Sequence, residues 1–190
     1  MNNNSLETGT IFITGIPASG KSTLGKNLQD ALLKVGIDNV KLLDGEVIRG
    51  ELVKQGKRYG YSTDERNKVA LEIAHAAQRY NKKSVISIIC AICHVKETRE
   101  EMRKIIGNVM EVYLECPVRI CAKRDYKGHY AKAFQGAYDN FVGVTEPYQK
   151  SDHVELVLYT GNDSIAKCSR QLLESVLVFL EHSEEKEIAA

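Results

Sequence analysis

Residues 15–23 read GIPASGKST, directly after the short β-branched run TIFIT at 10–14. The pattern G-x-x-x-x-G-K-[ST] is met by Gly15, Gly20, Lys21 and Ser22. A helical segment follows from Lys21 to about Val35, with Leu24, Leu28, Ala31 and Leu32 on one face. Strand, glycine loop and helix in that order form the setting in which this motif binds phosphate. Glycines let the backbone wrap close to the anion, so that successive N–H groups point inward, and the helix start adds favourable partial charge. Gly15, Ile16, Pro17, Ala18, Ser19, Gly20, Lys21, Ser22 and Thr23 are therefore the expected ATP-binding loop. Lys21 would neutralise the β and γ phosphates, and Ser22 would offer its hydroxyl to Mg²⁺, so ATP and Mg²⁺ are the expected cofactors.

Outward from the loop, strands and helices alternate. VKLLD (40–44) reads as a second strand with a short helix near 47–53, and Ser62 or Thr63 can cap a helix running to about Tyr80. SVISII (84–89) is apolar throughout, as in a parallel strand covered on both faces, and a polar helix follows at about 95–106. NVMEVYL (108–114), a helix opened by Pro117 and ending at Arg124, VELVLYT (154–160) and a closing amphipathic helix from Ser164 to about Glu181 complete the series. Residues 125–152, rich in Gly, Lys and Tyr without a long period, read as a lid or substrate loop, and 183–190 as a solvated tail. The expected fold is α/β: a five-stranded parallel sheet flanked on both sides by helices, with 1–190 as one domain.

Composition narrows the partners. Twenty-six basic and 25 acidic side chains leave a formal charge of +1, so no overall field holds nucleic acid or an anionic membrane. The sequence shows neither an export signal at its start nor 18 consecutive apolar residues, which points to the cytoplasm. Five cysteines, at 90, 93, 116, 121 and 168, are expected as reduced thiols. CAICH (90–94) spells the haem-attachment pattern and contains C-x-x-C. Haem needs an axial ligand set, and a redox dithiol needs an exposed thiolate; two small buried side chains at a strand end are the plainer alternative.

Asp44 closes the second strand, at the edge where open α/β sheets bind ligands. Its carboxylate could take the proton of an attacking hydroxyl, hold Mg²⁺ through water, or cap the next helix. Arg49, Arg66 and Arg124 are candidate phosphate clamps or solvated charges.

GIPASGKST, LLDGEVIR (42–49), YSTDER (61–66), ECPVRICAKRDYKGHYAKA (115–133), NFVG (140–143) and EPYQ (146–149) before VELVLYT together resemble the adenylyl-sulfate kinase family over most of residues 10–160. The resemblance implies a three-layer P-loop kinase fold and transfer of the γ-phosphate of MgATP to the 3'-hydroxyl of adenosine 5'-phosphosulfate (APS), a step of sulfate assimilation. It also implies roles by position. Asp44 matches the family's likely base, with Glu46 in place of a second aspartate. Arg49 and Arg66 match arginines on the substrate, Tyr61 and Phe141 the two aromatics that sandwich its base, and Arg124, Asp125, Lys127, Gly128 and Lys132 the lid. The family's substrate-lining ISPY falls on Ile89-Cys90-Ala91-Ile92, with Cys90 in place of serine.

Other positions depart from the pattern. An Asn and paired arginines after the FSxxDR element are replaced along Asn67-Lys68-Val69-Ala70-Leu71-Glu72, and a lysine before NFTG is Asp139 here. Three readings follow: an adenylyl-sulfate kinase with a divergent pocket; a relative that phosphorylates another nucleotide, such as cytidine diphosphoramidate in capsule biosynthesis; or a silent nucleotide-binding or thiol-redox regulator using Cys90 and Cys93. The expected partner is a small nucleotide, with neither nucleic acid nor membrane, and a homodimer stays open.

Overall fold

The computed structural model describes residues 8–182. Five strands form one parallel sheet: β1 (Thr10–Thr14), β2 (Val40–Asp44), β3 (Ile86–Cys90), β4 (Val109–Leu114) and β5 (Leu156–Leu158), in the order β2-β3-β1-β4-β5. Between them lie α1 (Lys21–Lys34), α2 (Gly45–Lys54), α3 (Thr63–Asn81), α4 (Lys96–Ile106), α5 (Val118–Arg124) and α6 (His129–Phe134), and α7 (Ile165–His182) follows β5. The expected α/β architecture is present, with helices on both faces of the sheet.

Strand pleating explains the layers, because alternate side chains leave opposite faces. Ile11 and Ile13 of β1 join Ile88 and Val112 under Leu24, Leu28 and Leu32 of α1 and Leu172, Val176 and Leu180 of α7. Phe12, between them, faces the other way, with Leu43 and Ile89, onto Ile48 of α2, Val69 and Ile73 of α3 and Met102 of α4. A third, smaller core sits at the carboxyl edge, where Ile16 of the glycine loop packs with Cys121, Tyr130, Phe141 and Val142. The loop and the lid segment thus share one apolar centre.

Strand register positions the site. Ile13 pairs with Cys90 across β1 and β3, and Cys90 with Asp44 across β3 and β2, so the ends of three strands are level. Asp44 then caps α2: its side chain accepts from Glu46 N. Ser62 and Glu65 form a reciprocal capping box that starts α3.

Several boundaries differ from the sequence reading. The third strand begins at Ile86 rather than at 84, because Ser84 takes a left-handed turn at φ 59° and Val85 N still bonds Tyr80 O of α3. The fifth strand covers 156–158 rather than 154–160; it pairs with β4 alone, and Thr160 turns back so that its N–H donates to Leu158 O. Within 125–152, read as lacking a long periodic pattern, six residues form α6, which starts after Gly128 at φ 71°. The expected tail at 183–190 lies outside the described residues.

Candidate active site

The glycine loop owes its shape to two backbone positions. Gly20 sits at φ 105° before α1, where a side chain would be strained. A Cβ on Gly15 would fall 2.9 Å from Leu114 O, so β4 passes too close for any other residue. The first turn of α1 has no side-chain cap, leaving its N–H groups directed at the loop's interior. Ser19 Oγ is buried there without a hydrogen-bond partner.

Lys21 lies in the cradle, its ammonium donating to Gly15 O at 3.1 Å and Ile16 O at 2.7 Å. Burial pushes its pKa down to about 8. A cation so stripped of water favours an anion beside it. Ser22 Oγ donates to Asp44 Oδ2 at 2.5 Å, joining the loop to the end of β2, and Asp44 Oδ1 accepts from Glu46 N at 2.9 Å. The cap and the site-facing oxygen are therefore two atoms of one carboxylate. A hydroxyl and a carboxylate are hard oxygen donors, suited to Mg²⁺ when phosphate oxygens and water complete its shell. Among the described residues no cluster of three or more His, Cys, Asp or Glu could hold a metal ion.

Beside this centre, Arg49 and Arg66 approach the exposed Tyr61 ring, their guanidinium carbons 4.6 Å and 5.3 Å from its centroid. Burial lowers both arginine pKa values, although both remain cations at neutral pH. Arg49 also donates to Gly60 O at 2.9 Å. Arg66 donates to Tyr61 O at 2.9 Å and Asn140 O at 3.2 Å, linking the segments that carry Tyr61 and Phe141. A cavity of about 280 Å³ opens here, lined by Glu46, Arg49, Gly50, Val53, Tyr59 and Tyr61. Phe141 is mostly buried, stacked on Tyr138 and edge-on to Tyr130.

The segment 125–152, expected to be a lid, contacts both the glycine loop and α2. Tyr130 OH donates to Pro17 O at 2.9 Å, fastening α6 to the glycine loop. Lys127 reaches Glu46 at 3.0 Å, which raises the lysine pKa through that hydrogen bond. Arg124 is exposed but tied down, donating to Thr160 O at 2.7 Å, while Thr160 Oγ1 donates to Ser19 O at 2.8 Å. Lys132 is exposed on α6.

Ile89 and Cys90, expected in the wall of the acceptor pocket, are both buried: Ile89 packs with residues of α2 and α3, and Cys90 Sγ donates to Lys21 O at 3.2 Å beneath α1. A Cβ on Gly25 would sit 2.3 Å from that sulfur. All five cysteines are buried and unpaired, and burial pushes the thiols of Cys90 and Cys93 up to about 12. That is the opposite of what a thiol switch requires. Glu72, read from sequence as a negative charge on the substrate side, instead pairs with Lys57.

Sequence reasoning missed Tyr130, whose hydroxyl fastens the lid, and Thr14, the last residue of β1, whose Oγ1 lies 2.9 Å from Tyr148 OH. It also read the helix at 95–106 as merely polar, whereas Arg99 is buried against Glu111 at 3.0 Å and Cys93 O at 2.7 Å. A charged residue inside the otherwise apolar strand NVMEVYL was the available signal, since a buried carboxylate needs a cation.

A glycine loop with a buried lysine, opposite a strand-end carboxylate on a parallel sheet, defines a P-loop phosphotransferase. The family model described as Adenylylsulphate kinase matches residues 7–159, and the chain belongs to that family. An adenylyl-sulfate kinase of Synechococcus sp. (strain JA-3-3Ab) is 33% identical over 167 residues, covering 88% of this chain and 93% of its own length. Another, from Clostridium acetobutylicum, is 33% identical over 165 residues, covering 86% and 80%. The structure of the Mycobacterium tuberculosis APS kinase CysC in complex with AMPPNP and APS matches with a TM-score of 0.81 at 28% identity, over 90% of this chain and 98% of that one. The chain is accordingly an ATP-dependent nucleotide kinase, a transferase with a hydroxyl group as acceptor. No helix among the described residues is long and apolar enough to cross a membrane.

Proposed function

We propose that the chain phosphorylates the 3'-hydroxyl of adenosine 5'-phosphosulfate from MgATP, giving the 3'-phosphorylated sulfate donor. The observation that carries this reading is the contact between Ser22 and Asp44, which sets a general base beside the phosphate cradle in a chain of this family. In the reaction Lys21 exchanges its bonds to Gly15 O and Ile16 O for phosphate oxygens. Ser22, with Asp44 acting through water, would hold Mg²⁺, which would offset charge on the phosphates. Asp44 orients the sugar hydroxyl and accepts its proton as the new P–O bond forms and the bond from the γ-phosphorus to the bridging oxygen breaks, releasing ADP. Arg49 and Arg66 bind the anionic end of the acceptor, and Tyr61 and Phe141 flank its base. Arg124, Lys127 and Lys132 belong to the segment that excludes water, the competing nucleophile.

The test is ADP release with MgATP against adenosine 5'-phosphosulfate, cytidine diphosphoramidate and plain nucleoside mono- and diphosphates. Turnover of adenosine 5'-phosphosulfate at least about tenfold better than the rest, a difference of ~1.4 kcal/mol, supports the reading. Preference for cytidine diphosphoramidate moves the acceptor while keeping the chemistry. ATP binding with no ADP from any acceptor overturns the kinase assignment.

A further inference from the structure

The stretch from Asn140 to Gln149 folds mainly on itself. Phe141 N donates to Thr145 Oγ1 at 2.7 Å, Glu146 N to Phe141 O at 3.1 Å, and Gly143 N to Glu146 O at 2.7 Å. Such a knot keeps its own shape but needs anchors to keep its place. At one end the anchor is Arg66, through Asn140 O. At the other it is the side chain of Glu146.

The Glu146 carboxylate meets two groups outside the stretch. Thr63 Oγ1 lies 3.0 Å from both of its oxygens, and His94 Nε2 lies 2.8 Å from Oε2. His94 is 3% exposed, burial lowers its pKa, and because an ionised carboxylate only accepts, Nε2 is the donor of this contact. Gln149 N adds a bond to His94 O at 3.0 Å. Thr63 and Arg66 are three residues apart on α3 and so share one face. A single turn of that helix therefore grips both ends of the stretch containing Phe141.

We propose that Glu146 is a positioning residue: bound by Thr63 and His94, it holds the Asn140–Glu146 loop so that Phe141 and Arg66 are set for the acceptor, and it governs acceptor affinity without touching either substrate. This rests on the kinase reading above. A chain lacking the carboxylate keeps its phosphate cradle, because no atom of Glu146 bonds the glycine loop, but its acceptor side loosens.

Steady-state kinetics of Glu146→Ala, Glu146→Gln and Thr63→Val, with adenosine 5'-phosphosulfate and MgATP varied in turn, test the proposal. Glu146→Ala is expected to raise the acceptor KM roughly tenfold or more, the size of one lost charge-assisted hydrogen bond. The KM for MgATP stays within about twofold, below what any lost direct contact produces. Glu146→Gln keeps an acceptor oxygen for Thr63 and restores most of the affinity. Thr63→Val shifts the acceptor KM the same way by a few-fold, and it decides the matter if Glu146→Ala does not fold. Equal rises in both KM values, or no change in the acceptor KM, overturn the positioning role. If the unmodified chain releases no ADP with any acceptor in the panel, the kinase reading falls and this inference with it.

Discussion

Ser22 and Asp44 meet through one short hydrogen bond, Oγ to Oδ2 at 2.5 Å, although 22 residues separate them in the chain. The second carboxylate oxygen is committed to Glu46 N as the cap of α2, so the same side chain serves the fold and faces the phosphate cradle.

These two duties separate by substitution. Asp44→Asn keeps an N-cap oxygen and loses the base, so kcat falls by about 10²- to 10⁴-fold while the melting temperature barely moves. Asp44→Ala loses both, adding a stability loss of ~1 kcal/mol. Near-native turnover by Asp44→Asn would remove Asp44 from proton transfer.

Lys21 yields a pH signature. Its pKa is pushed from 10.5 to about 8 by burial, so below pH 8 the ammonium is charged in both folded and unfolded chains and its burial costs stability. Between pH 8 and 10.5 the unfolded chain binds the proton and the folded chain does not, so stability rises with pH through that window. Phosphates placed beside the ammonium restore the proton. Calorimetry at about pH 9, in two buffers of different ionisation enthalpy, is therefore expected to show proton uptake on MgATP binding, up to about one per nucleotide. Lys21→Ala abolishes nucleotide binding and the uptake without lowering the melting temperature.

The Tyr61 ring is exposed and lies beside two guanidinium groups, and under the proposed function the acceptor base would stack on it. Tyr61→Phe leaves the acceptor KM near its native value, and Tyr61→Ala raises it about tenfold, within the ~1–3 kcal/mol of a base–aromatic stack. Equal effects of the two substitutions would contradict a stacking role.

The cysteines are chemically quiet in the folded chain. With the thiols of Cys90 and Cys93 pushed up to about 12, an aromatic disulfide reagent at neutral pH labels neither at a rate above global unfolding. Denaturant exposes all five. Rapid labelling of Cys90 or Cys93 in the native state, with a change in nucleotide binding, would revive a thiol switch.

Legibility in the sequence followed the range of the interactions. GIPASGKST declared the loop because phosphate chemistry, glycine conformations and the flanking strand and helix all lie within about two dozen consecutive residues. Asp44 was readable because a strand's end is a local event. Arg99, by contrast, looks solvated in KETREEMRKII, since its partners Glu111 and Ser151 arrive from other elements. His94 and Glu146 stand 52 residues apart and meet only through tertiary packing. Cys90 was legible as a strand end, and alternation puts it on the face of Ile86 and Ile88, but the room for its sulfur under α1 depends on Gly25, 65 positions away in the chain. α6 went unread because six residues between glycine turns hold too little periodicity.

The clasp of Tyr130 on Pro17 bears on traffic through the enzyme. The same stretch of chain that grips the loop through Tyr130 meets Arg66 at Asn140 by a separate hold. Spent donor would leave only when that clasp opens, and at saturation the pace of catalysis would follow its opening rather than the making of the bond.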